Sequence, residues 1–320
     1  MKVPSLRAWP RLAQYFSAWP RLAQHALWNN PILVKEVRTR MRGNRAFVLI
    51  TVHLLILALA LALIYLIISL SQTTFNNPGD RQTLGKLIFG LLVWMELVMV
   101  SFTSPALTSG AISLERERQT FDLLKATLIK AYSLALGKYF AGLVFVLLLL
   151  VTSLPLFGPP FLLGGILLEE ILIAVLILAT SAVVFCAVGL FLSSLFARTL
   201  VSSVLAYAFA ILMNFGIPIM MLLVITVLGA RFSGLTAPGP LWAVLWVYLA
   251  WLGISLTPPA AMIATEVALI EGQGVWLARL PLDGRQLVFI SPWIIYVGFY
   301  LLLSLALIWL SIKLVARPER

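Results

Sequence analysis

An all-α polytopic membrane protein with six transmembrane helices is the fold class the sequence predicts, and three observations predict it. The 320 residues are 62% apolar and 11% charged, with a mean hydropathy of +1.03. A soluble domain carries about 25% charged residues to clothe its surface. Charge-free runs occupy 46–79, 139–168, 171–197, 199–230, 232–265 and 286–312, and 87–114 is interrupted only by Glu96. Each run exceeds the ~20 residues needed to cross a bilayer core. Leu, Ala, Ile, Val and Phe fill these runs without strict alternation, which favours helices over barrel strands. A soluble enzyme, a secreted disulfide scaffold and a disordered chain are thereby excluded.

Spans are expected at about 46–70, 86–108, 139–158, 171–192, 200–228 and 291–313. The first apolar run starts only at Ala46 and is too long for a signal-peptide core, so it reads as a permanent anchor. The stretch 232–265 is ambiguous. Pro240 opens it and Pro258-Pro259 closes it, leaving 17 residues between, short for a crossing but fitting a helix that dips into one face. With Ala260–Ile270, which carries Glu266, it forms either a re-entrant hairpin or part of a seventh crossing. With six spans and both ends inside, 18 of the 23 Lys and Arg fall on the cytoplasmic side, and a seventh crossing changes this only to 17. The positive-inside rule thus orients the first span and leaves the parity open. The net charge of +11 is a topology signal, and no soluble basic module for nucleic acid is present.

Three segments stand outside the spans. Residues 1–30 read as a cytoplasmic tail in which AWPRLAQ occurs twice, at 8–14 and 18–24; two copies make no solenoid. In 31–45, Lys35, Arg38, Arg42 and Arg45 form one basic helical stripe beside Glu36, and Leu33, Val37 and Met41 form another face. Asn30-Pro31 supplies a helix start. An amphipathic helix of this kind lies in the headgroup layer, drawn to anionic membrane lipids. In 109–138, Leu114, Phe121 and Leu128 recur at seven-residue spacing with Leu124 between them. Glu115, Arg118 and Asp122 are spaced for ion pairs along the polar face. This predicts a short helix over about 111–126 that is presented to the cytoplasm.

The run Ile112-Ser113-Leu114-Glu115-Arg116-Glu117-Arg118-Gln119-Thr120-Phe121-Asp122-Leu123-Leu124, followed by Thr127, resembles a segment of ATP-binding-cassette (ABC) exporter permeases of the ABC-2 type. Asn30–Arg40 is similar to that family's basic opening helix. Leu136-Gly137-Lys138, Leu154-Pro155-Leu156, Gly164-Gly165 and Gly189–Phe196 continue the pattern in order. The duplicated tail departs from it, as does Ile129-Lys130-Ala131, where relatives often carry a proline-containing turn. The resemblance covers about 29–200 and implies a transmembrane domain over 31–315, a cytoplasmic tail at 316–320, and re-entrant helices at 241–270. It also implies a coupling helix at 111–126, seated in a cleft of a separate ABC ATPase subunit through Glu115, Arg116, Glu117, Arg118, Gln119, Thr120, Phe121, Asp122 and Leu124. A second cytoplasmic contact would come from Ser193, Ser194 and Arg198. The same resemblance implies a second permease copy, identical or related, and the plasma membrane of a prokaryote with both termini inside.

Catalytic chemistry has few candidates. Gly79–Lys86 has five residues between its glycines and Leu87 in place of the metal-binding hydroxyl, so it is no P-loop. Cys186 stands alone, and His25 and His53 leave almost no metal chemistry. The chain is therefore expected to be no enzyme, with ATP and Mg bound by the partner. Glu96, at the middle of the second span, carries a carboxylate that costs ~2.5–3.5 kcal/mol to insert, so it must face protein or a wet cavity. Its role is a substrate path, a copy interface, or a hydrogen-bonded tie between helices. His53 reads as packed or hydrogen-bonded. A secondary transporter without ATP, or a membrane assembly scaffold, is the alternative function.

Overall fold

In a computed structural model the chain is described over residues 30–42, 44–70, 78–121, 123, 130–232, 240–270, 274–282 and 285–317. Six of its described helices are long and apolar enough to cross a membrane. Helix α1 (Pro31–Met41) precedes α2 (Asn44–Leu70) and α3 (Pro78–Thr108). A short α4 (Ser113–Glu117) leads to α5 (Ala131–Ser153), which tightens through a 3₁₀ turn (Leu154–Phe157) into α6 (Gly158–Leu162). Then come α7 (Leu168–Leu195), α8 (Thr199–Ile211) and α9 (Ile217–Phe232). Helices α10 (Pro240–Ser255) and α11 (Pro258–Ile270), a β1–β2 hairpin (Leu277–Leu282, Arg285–Ile290) and α12 (Pro292–Ala316) complete it. The duplicated AWPRLAQ lies outside the described residues.

Helix α7 forms the axis of the bundle. It packs against α3, α5, α8, α11 and α12, and 67% of its most apolar window is buried, against 11% for α2 and for the α8–α9 rod. Apolar surface gains nothing by leaving lipid, so membrane helices associate through close backbone approach and small residues. The sequence of α7 suits that: Ala174, Ser181, Ala182, Ala187, Gly189, Ser193 and Ser194 are all buried. At one crossing a side-chain carbon on Gly189 would overlap Thr108 Oγ1, and one on Gly142 would stand 2.6 Å from Thr108 Cγ2. Three helices thus meet at one threonine, which two glycines make room for.

Prolines at two places shape the second half. Pro218 has no N–H to offer the carbonyl four residues before it, and the chain makes a π turn over Leu212–Gly216 between α8 and α9. At Pro258-Pro259, α10 and α11 meet at a 114° bend. A residue before proline is pushed out of helical geometry, and the Tyr300 hydroxyl donates to the freed carbonyl of Leu256 at 2.6 Å. The ambiguous stretch is therefore two half-length helices.

The hairpin is an element the sequence reading missed. It is antiparallel, with Leu282 opposite Arg285, so the intervening Asp283-Gly284 is the strongest short hairpin signal a sequence can carry. Phe289 packs against Tyr248 and Trp251, with ring centroids 4.6 and 5.1 Å apart, and Trp251 Nε1 donates to Ile290 O.

Candidate functional site

The chain leaves α3 at Thr108, turns through 109–112, forms α4 and turns again at Arg118–Gln119. The expected helix over 111–126 is corrected here. Helical geometry runs from Ser113 to Glu117, breaks at Gln119, whose φ of 58° is a left-handed conformation that ends a right-handed helix, and returns at Phe121 and Leu123. Asp122, Leu124 and 125–129 lie outside the described residues. What remains is a tight elbow, 109–121.

Three of the elbow's charges, Glu115, Arg116 and Glu117, face the rest of the chain. Lys138 of α5, buried to 5% exposure, donates from Nζ to Ala111 O and to Glu115 Oε1, both at 2.6 Å, with Glu36 Oε1 3.9 Å away. Arg116 Nη1 donates to Ser194 O at 2.9 Å, and its guanidinium lies 5.1 Å from the centre of the Phe121 ring. Glu117 caps the start of α8: the N–H and hydroxyl of Thr199 both donate to its carboxylate at 2.8 Å. Those two hydrogen bonds hold the Glu117 carboxyl below its usual range. The expected pairing of Glu115 with Arg118 along one helix face is thus replaced by contacts with α5, α7 and α8.

A seam of hydroxyls fastens the inner side. Ser193 Oγ accepts the N–H groups of Ile112 and Ser113 at 2.8 and 3.0 Å. Ser202 donates to Ser109 O at 2.6 Å, and the Ser109 and Ser203 hydroxyls meet at 2.9 Å. Ser193 and Ser194 are buried, so of the expected second contact only Arg198 faces outward. Phe121 is buried in a cluster with Ile32, Ile112, Leu134, Tyr139 and Cys186. Leu114, Arg118, Gln119, Thr120 and Leu123 are exposed.

Helix α1 flanks this elbow. Asn30 caps it by accepting from the Ile32 N–H and donates to Ser133 O of α5. Ile32 packs where Gly137 leaves room, its Cβ 3.2 Å from where a glycine side chain would begin. Lys35, Arg38 and Arg42 are exposed along the basic stripe, and Glu36 turns partly inward toward Lys138. The side chain of Arg45 lies outside the described residues. Arg40, which the stripe pattern did not include, donates from Nη2 to Leu107 O at 2.8 Å, and burial lowers its pKa. Lys138 and Arg40 are the two positions that spacing alone passed over. The Leu136-Gly137-Lys138 run was the only signal for the first.

Inside the bundle, Glu96 is fully buried and ties three helices. His53 Nε2 of α2 stands 3.1 Å from Glu96 Oε2, and the Ser153 hydroxyl of α5 donates to Oε1 at 3.0 Å. Among the described residues, no group of three or more His, Cys, Asp or Glu is placed to hold a metal. No protein-family model matches the chain, and no curated protein matches it.

Proposed function

We propose that the chain is the membrane subunit of an ABC-2-type exporter, moved by ATP that a separate subunit hydrolyses. The observation that carries this is the elbow. Its inner side is fixed to α5, α7 and α8 by hydrogen bonds of 2.6–3.0 Å and to α1 by the apolar cluster that Phe121 shares with Ile32, while Leu114, Arg118, Gln119, Thr120 and Leu123 are exposed. A surface held that firmly to four helices passes an applied displacement to them instead of absorbing it. On this reading the elbow seats in a cleft of the ATPase, which also binds ATP and Mg, and Arg198 adds a lesser contact.

The finer topology follows the same reading. Both termini are cytoplasmic in a prokaryotic plasma membrane, and α1 lies in the headgroup layer beside the elbow. On the same reading the α10–α11 pair is re-entrant, which its 114° bend supports. A second copy of this chain or a relative completes the pathway, and no nucleic acid takes part. A proton-driven secondary transporter is the reading that the buried His53–Glu96 pair favours, since intramembrane ionisable pairs mark proton relays.

The test is a charge placed on the free face. Leu123→Asp with Arg118→Glu should leave membrane insertion unchanged, abolish co-purification of a P-loop ATPase subunit, and remove transport-stimulated ATPase activity. Retained ATPase stimulation in this variant would overturn the coupling role. A proton-driven transporter would instead lose activity in Glu96→Gln and keep it in the elbow variant.

A further inference from the structure

At the end of the bundle opposite the elbow, α3, α7 and α11 enclose a cleft of about 540 Å³. That volume falls within the ~300–1,000 Å³ of small-molecule sites. Its walls include Trp94, Ile173, Ile177, Met262 and Ile263, which offer an apolar body to any occupant. One end carries three ionisable side chains: Lys86 near the start of α3, Glu170 in the first turn of α7 and Glu266 on α11. Lys86 Nζ and Glu170 Oε1 pair at 3.7 Å, and Glu170 Oε2 also accepts the Leu167 N–H at 3.2 Å. Glu266 is different. Its Oε1 is buried and has no hydrogen-bond partner among the described residues.

A carboxyl oxygen removed from water without a partner is costly, and the cost is recovered only when a donor or cation arrives. Among the described residues, with Lys86 matched to Glu170, the second carboxyl leaves the polar end one cation short of balance. The complement of this cleft is therefore an apolar molecule bearing a single ammonium group. The geometry points to a binding site for an amphiphilic monocation, with its ammonium on Glu266 and its apolar chain along Trp94 and Met262. This assignment rests on the cleft alone and does not depend on what drives the chain. The same chemistry occurs in a free lipophilic amine and in the headgroup of a bilayer aminolipid.

The experiment uses the full chain in phosphatidylcholine nanodiscs and a dodecylamine probe with a photoactivatable diazirine at the tail. Irradiation and peptide mapping should place the adduct on segments bearing Trp94 or Met262-Ile263. Unlabelled dodecylamine should compete, and dodecanol, with the same tail and no charge, should not. Glu266→Gln should lower labelling at least tenfold. Ile263→Trp, which adds bulk to the cleft from the same helix about one turn before Glu266, should do the same while leaving the carboxylate in place. Replacing phosphatidylcholine by phosphatidylethanolamine distinguishes the sources: lost labelling identifies the aminolipid as occupant, and retained labelling identifies a free amine. Labelling spread evenly over the lipid-facing helices would overturn the site. So would equal competition by dodecanol, or Glu266→Gln labelled as strongly as the parent chain. The first two outcomes are read on the unmutated protein, so they hold even where a variant fails to fold.

Discussion

Lys138→Met is expected to destabilise the folded chain by about 3 kcal/mol, the lower end of the range for breaking a buried pair. The lower end applies because Glu115 keeps 21% of its side chain exposed and regains some solvation. Loss of the ammonium removes the donor to Ala111 O and Glu115 and leaves a half-buried carboxylate facing an apolar neighbour. The readout is built in. Cys186 is the chain's one cysteine and is fully buried in the same core cluster as Phe121. A thiol-reactive dye therefore reports unfolding during heating in detergent, and the variant should react at a clearly lower temperature. Lys138→Met combined with Glu115→Gln should recover most of the loss, because the closest carboxylate is then neutral and Glu36, farther away and with 27% of its side chain exposed, keeps contact with water. If the single variant reacts at the parent temperature, the elbow is not held by this lysine.

Gly189→Ala should be the next most damaging change, at about 1–3 kcal/mol, the usual cost of forcing one carbon into a filled core. The new methyl would overlap Thr108 Oγ1 and approach the Ser109 N–H within 3.2 Å. Thr108 cannot swing aside easily, since its hydroxyl donates to Ser104 O at 2.9 Å and its other face meets Gly142. Gly189→Ala with Thr108→Ala should fold more stably than Gly189→Ala alone, measured by the same Cys186 reactivity. Equal stability of the single and double variants would show that the crossing relaxes elsewhere.

The spans were legible because lipid imposes one rule, a long run without charge, that a sequence states openly. The bend was legible for a similar reason: Pro258-Pro259 forbids continuous helix whatever surrounds it. The elbow was legible only in part. The seven-residue spacing of Leu114, Phe121 and Leu128 suggested a longer helix, but Gln119 turns left-handed after one turn and a half. Nothing in local pattern announces that. Nor could spacing reveal that Glu115, Arg116 and Glu117 reach to Lys138, Ser194 and Thr199, since these partners are brought near only by tertiary packing. Glu96 and His53 each stood out as polar groups in apolar runs, yet their pairing depends on how α2 leans on α3. The hairpin was an oversight of another kind. Asp283-Gly284 stands in the sequence between the two strand segments, a local signal that needs no tertiary contact to be read.

The hydroxyl seam that joins Ser109 and Ser113 to Ser193 and Ser202 has a consequence for ionic strength. Neutral hydrogen bonds are little affected by added electrolyte, whereas exposed charges lose their reach beyond about 8–10 Å at physiological concentrations. Raising the salt should therefore weaken whatever Arg118 and Arg198 attract from outside while the joint behind them stays shut. On the proposed reading, grip on an ATPase partner would then be set by the medium, whereas the hydroxyl seam behind it is set by the chain itself.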